Sequence, residues 1–132
     1  FRLTQNFRSK TMGDRANITM TLDKRLDEMT EEEKDNCPSI YVHWHGNPDT
    51  VQMFLDETKE VMKGRKGDRD YSFARLCQVI GNHIEGNLSF GVGTRRSVSC
   101  ADWDNGTYWI DNHLNIVGRE NSSLEEYKAN TQ

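Results

Sequence analysis

Long apolar runs are what this sequence most lacks. No stretch exceeds three consecutive apolar residues, as in Met53–Leu55 or Tyr108–Ile110, whereas a helix crossing a bilayer needs about 20, so no membrane association is expected. Leu, Ile, Val and Phe supply only 26 of 132 residues, and the mean hydropathy is −0.87, close to the border of disorder. Cys37, Cys77 and Cys100 are odd in number and widely spaced. Neither a disulfide framework nor a CxxC zinc site follows, which favours a reducing cytoplasm. The first twenty residues carry Arg2, Arg8, Lys10, Asp14 and Arg15 without an apolar stretch, so an export signal is not expected. The Asn-x-Ser/Thr sequences at Asn17, Asn87, Asn105 and Asn121 accordingly read as incidental. Catalytic signatures are missing too: no phosphate loop, no Gly-x-Ser-x-Gly and no His-Glu-x-x-His.

What is present argues for a small folded domain. Three Trp, four Tyr and five Met add apolar volume, and the net charge is only −4. Residues 23–35 hold seven carboxylates (Asp23, Asp27, Glu28, Glu31, Glu32, Glu33, Asp35) against Lys24, Arg25 and Lys34, an excess that equals the whole net charge. Elsewhere, basic clusters at Lys63, Arg65, Lys66, Arg69 and at Arg95, Arg96 are balanced by acids.

Periodicity divides the chain into an arm (1–14), one domain (15–118) with an acidic excursion (23–38), and a polar tail (119–132). Ala16, Ile18, Met20 and Leu22 alternate with polar residues as a half-buried strand; Ile40, Val42 and Trp44 do the same. Thr30 and Glu33 have capping-box spacing for a short helix in the acidic stretch, which has almost no apolar face and reads as a solvated excursion between paired strands. Asn47-Pro48 starts a helix whose stripe is Val51, Phe54, Leu55, Thr58 and Met62. Asp70 is expected to cap a second, striped by Phe73, Leu76, Cys77, Ile80 and Ile84. Strands follow at Leu88–Val92, Tyr108–Asp111 and Leu114–Val117, with a turn at Asp104-Asn105-Gly106. The order β-β-α-α-β-β-β predicts an α+β fold: a mainly antiparallel sheet of four to five strands with two helices packed on one face.

Four motifs in order, Arg15-Ala16-Asn17-Ile18, Tyr41-Val42-His43-Trp44-His45-Gly46, Leu88-Ser89 with Gly91-Val92, and Asp104-Asn105-Gly106 with Tyr108, Ile110 and Asp111, carry a family likeness. In this the chain resembles small proteins encoded by bacteriophages and prophages, over residues 15–118 apart from the acidic excursion. The resemblance implies an accessory protein acting in the host bacterial cytoplasm. It would bind and block a host protein or ribonucleoprotein complex, such as a CRISPR effector. It also implies that His45 is not part of a shared catalytic device, since such relatives often carry Asp or Asn there.

The residues themselves offer three readings. In the first, a non-enzymatic binding protein, Glu28, Glu31, Glu32 and Glu33 mimic nucleic-acid phosphates toward a basic partner, and Trp103 and Trp109 act as exposed anchors. Trp44, on the apolar side of its strand, reads as core. In the second, a metal-dependent hydrolase or nuclease, His43 and His45 lie about 7 Å apart on one strand face and share an ion with Asp49, Asp104, Asp111 or His113. In the third, Arg95 and Arg96 bind a nucleotide's phosphates beside stacking aromatics. An overall pI near 5.5 disfavours direct nucleic-acid binding, and no cofactor is expected. Cys77 reads as core, and Cys100 has no histidine near it in sequence to act as base.

Overall fold

The computed structural model describes residues 14–86, 88–98 and 104–121. Five strands form one sheet: β1 (Ala16–Met20), β2 (Pro38–Val42), β3 (Phe90–Thr94), β4 (Thr107–Ile110) and β5 (Ile116–Glu120), in spatial order β3-β2-β1-β4-β5. Pairing is antiparallel except between β1 and β4, which run parallel with Ile18 opposite Tyr108. The parallel pair arises because the chain leaves β3 at one edge and returns to the other side of β1. The α+β class with a mostly antiparallel sheet therefore stands.

Helices α2 (Pro48–Val61) and α3 (Arg69–His83) lie on one face. The three central strands β2, β1 and β4 contribute alternate residues to that side, so Ala16, Ile18, Met20, Ile40, Val42, Tyr108 and Ile110 meet Val51, Phe54, Leu55, Leu76 and Ile80 in one core. The Asn47 side chain accepts from the Thr50 amide, capping α2, with Pro48 in the first turn. Helix α3 is capped by Asp68 rather than Asp70. Asp68 sits earlier because the Arg65–Asp68 pair (2.9 Å) closes the connecting turn.

Several boundaries differ from the sequence reading. β1 stops at Met20, and Leu22, expected on its apolar face, packs instead against Trp109 on the other side of the sheet. β2 stops at Val42, and Trp44 is only half-buried instead of joining the core. Leu88 precedes β3 and is 93% exposed, and the edge strand is covered instead by Phe90, which packs against α3 at Gly81. Leu114 belongs to the β4–β5 turn with φ +66° and is buried there, which moves β5 onward to Glu120 and into the expected tail. The arm's Asp14 is likewise buried and bonded, as described below. Residues 1–13 and 122–132 lie outside the described part.

Candidate functional site

The second face of the sheet carries the acidic excursion. Residues 22–37 leave β1, form a 3-10 turn (Leu26–Glu28) and the short helix α1 (Glu31–Asp35), and return to β2. The capping box is complete: the Thr30 hydroxyl accepts from the Glu33 amide (3.1 Å), and the Glu33 carboxylate accepts from the Thr30 amide (2.9 Å). The Lys24 ammonium, 2.7 Å from Glu33, and the Thr30 amide hold that carboxyl below its ordinary range.

The expectation of almost no apolar face is corrected by a second small core. Leu22, Leu26, Met29 and Cys37 surround Trp109, and Trp109 is 1% exposed. Leu26 comes so close to Gly118 that a Cβ there would lie 2.6 Å from Leu26 Cδ2. The indole Nε1–H donates to Glu120 (2.9 Å). Trp109 is thus corrected from exposed anchor to the floor on which the excursion rests; its parity on β4 points it away from the helices. Trp103 lies outside the described residues, as does Cys100.

Arg95 closes the arrangement. Its guanidinium donates to Asp35 (2.8 Å) and to both Glu120 oxygens (3.0 and 3.1 Å), and sits 5.5 Å from the Trp109 ring centroid. Glu31 approaches it at 3.9 Å. Burial works against the Arg95 charge, but Glu120 and Asp35 outweigh it and raise its pKa. Arg96 donates to the other Asp35 oxygen (2.9 Å), and Arg96 with Arg95 holds that carboxyl low against desolvation. Two main-chain bonds, Arg95 N–H to Cys37 O (2.9 Å) and Arg96 N–H to Asp35 O (3.2 Å), fix the register. Burial pushes the Cys37 thiol up. The arginine pair expected to take phosphates is therefore committed to the protein's own carboxylates.

Glu33 and Asp35 turn inward to these partners, while Glu28, Glu31 and Glu32 stay exposed, with Glu31 at 79%. The bonds and the apolar contacts beneath them fix the main chain that carries those three exposed side chains on the back of the sheet.

The histidines do not lie side by side on one strand face as expected. With β2 ended at Val42, His45 adopts φ +67° and is buried at 2%, whereas His43 remains half-buried. His43 Nδ1 bonds the Tyr41 hydroxyl (2.8 Å), and its ring meets Trp44 edge-on at 4.9 Å. Asp111 and His113 sit in the turn after β4, at the opposite end of the sheet. Among the described residues no three His, Cys, Asp or Glu side chains are grouped to hold a metal ion. Cys77 packs half-buried against the main core.

Three of the sequence motifs converge at one end of the sheet. Asp14 accepts from Asn47 Nδ2 (3.0 Å) and Asn105 Nδ2 (2.7 Å), and its main chain bonds His43 O and Gly46 N. Arg15 pairs with Asp104 at 3.0 Å. Tyr108 donates its hydroxyl to Gly46 O (2.8 Å), under the Arg119 guanidinium. The Asp104 carboxyl is raised by burial and lowered further by Arg15, ending below its ordinary range. This end is a structural junction joining β1, β4 and the start of α2.

Sequence reasoning missed Asp14, Glu120 and the apolar underside of the excursion. Leu22, Leu26 and Met29, spaced four and three apart, were the available signal. No family model, curated protein or solved structure matches this chain.

Proposed function

We propose that this protein is a non-enzymatic binding protein whose excursion presents Glu28, Glu31 and Glu32 to a basic surface on a partner. The observation that carries the reading is the way residues 22–37 are held. A freely solvated charge run would need no capping box, no arginine clasp and no tryptophan floor. Here all three fix the segment, so exposed carboxylates stand at set positions, the arrangement that electrostatic recognition of a partner requires. Fixing the charges before binding also lowers the ordering cost at the interface.

The likeness to bacteriophage and prophage proteins supplies the context. The partner is a host protein or ribonucleoprotein complex in the bacterial cytoplasm, and a defence complex such as a CRISPR effector has the basic nucleic-acid channel this face would occupy. The alternatives have less support. The hydrolase reading needs a third ligand beside His43 and His45, and the nucleotide reading needs arginines that are already paired.

The test is affinity capture from host lysate with wild type and with Glu28→Gln/Glu31→Gln/Glu32→Gln, at low and high salt. A complex retained by wild type at low salt and lost by the variant supports the reading; equal retention by both refutes it.

A further inference from the structure

We infer that residues 22–37 form a strap that opens and closes as a unit, with Arg95 as its latch. The topology permits this. Both ends of the segment join β1 and β2, which are direct neighbours with Thr19 opposite Ser39, so the strap can swing out without separating any strand pair. The main core, on the opposite face of the sheet, contains none of its residues.

What holds the strap shut is small and local. Its apolar underside is Leu22, Leu26, Met29 and Cys37 against Trp109. Its link to β5 is one guanidinium, 17% exposed, joining Asp35 of the strap to Glu120 across the Trp109 ring, while the Arg96 guanidinium holds Asp35 at 2.9 Å and the Arg95 and Arg96 amides bond Cys37 O and Asp35 O. The charged groups facing this latch are Asp35 and Glu31 from α1, Glu120 from β5 and Arg96 beside it in sequence. Removing Arg95's charge leaves Asp35 and Glu120 partly buried without it, and Arg96 alone reaches only Asp35. Segments with few apolar contacts and a separate boundary open locally well below the free energy of global unfolding.

Opening uncovers Cys37, buried at 0% when the strap is closed. That thiol reports the motion chemically, and the inference holds whether or not the acidic face binds a partner. The experiment measures modification of Cys37 by a soluble maleimide at neutral pH, read by peptide mass spectrometry so that the other thiols are counted separately. Amide exchange at Ile18 and Ile110 monitors the main core in the same samples. Arg95→Met keeps aliphatic volume over Trp109 and removes the latch charge. The expected result is Cys37 modification faster by about tenfold or more with core exchange unchanged. Arg95→Lys, which restores the charge but not the fork, should fall between. In wild type, raising the salt to about 1 M should accelerate modification by a smaller factor, because partly buried pairs are screened less than exposed ones. Equal rates in wild type and Arg95→Met overturn the inference. So does acceleration that core exchange follows in step, since that would be unfolding of the whole domain.

Discussion

Asp14→Ala should destabilise the domain by about 3–4 kcal/mol. The carboxylate is 8% exposed and accepts from the side-chain amides of Asn47 and Asn105. Hydrogen bonds to a charged acceptor contribute about 1.5–3 kcal/mol each, and a donor left without one in a buried setting carries its desolvation cost. Asn47 also caps α2 through Thr50, so loss of its anchor weakens a cap worth about 1 kcal/mol. Some of this overlaps, since the same amide makes both contacts, and full additivity is not expected. Urea unfolding followed by tryptophan fluorescence reads the effect. At a slope of about 1.5 kcal/mol/M, the midpoint should fall by roughly 2 M with the slope unchanged. Asp104→Ala is the matched control. Its carboxylate accepts from both the Arg15 amide (2.9 Å) and guanidinium (3.0 Å) but is 27% exposed, and its loss should cost about 1–2 kcal/mol, less than that of Asp14. A midpoint within about 0.5 M of wild type for Asp14→Ala would show that this end of the sheet is not held by the junction.

Other substitutions probe the remaining contacts. Trp109→Ala empties the site beneath the excursion and should cost about 3–5 kcal/mol in thermal denaturation; a loss below about 1 kcal/mol would mean that the excursion does not rest on the indole. Gly106→Ala should cost about 3 kcal/mol or more, because φ is +69° and the new Cβ would meet the Glu120 carbonyl, so near-wild-type stability would exclude that close approach. Burial pushes the Tyr108 phenol up to about 12. A phenol with a raised folded pKa favours the folded state below pH 10 and withdraws that support as pH rises from 10 to 12. Absorbance titration should therefore find one tyrosine ionising late, together with a fall in stability over that window, and Tyr108→Phe should abolish both.

The parts of the fold legible in the sequence were those with strong periodicity. The α2 stripe from Val51 to Met62 is buried as spaced, and Asn47-Pro48 starts the helix as expected. Boundaries failed where a single backbone event intervened. β2 ends at Val42, before Trp44 could join the core, and the chain then turns at His45 with positive φ; Leu114 turns the chain likewise ahead of β5. Such conformations depend on what the neighbouring chain needs, here Gly46 bonding Asp14 and Asp111 closing its turn on His113 and Asn115. The candidate site was half legible. The charge count located the acidic segment, but its partners are 60 and 85 residues away in sequence, at Arg95 and Glu120, and no local pattern links them. Leu22 extends the alternation of the first strand in sequence and Leu26 and Met29 stand alone there, because the surface all three cover is built from Trp109 and Gly118.

The proposed role rests on Glu28, Glu31 and Glu32, held on the back of the sheet, binding a basic partner. Its most direct test is the salt dependence of capture from host lysate by wild type and by Glu28→Gln/Glu31→Gln/Glu32→Gln. The expected result is a complex bound by wild type at low salt, released as salt rises, and held at least about tenfold more weakly by the variant at unchanged folding stability. The same complex bound equally by both proteins, with the same salt dependence, would contradict it.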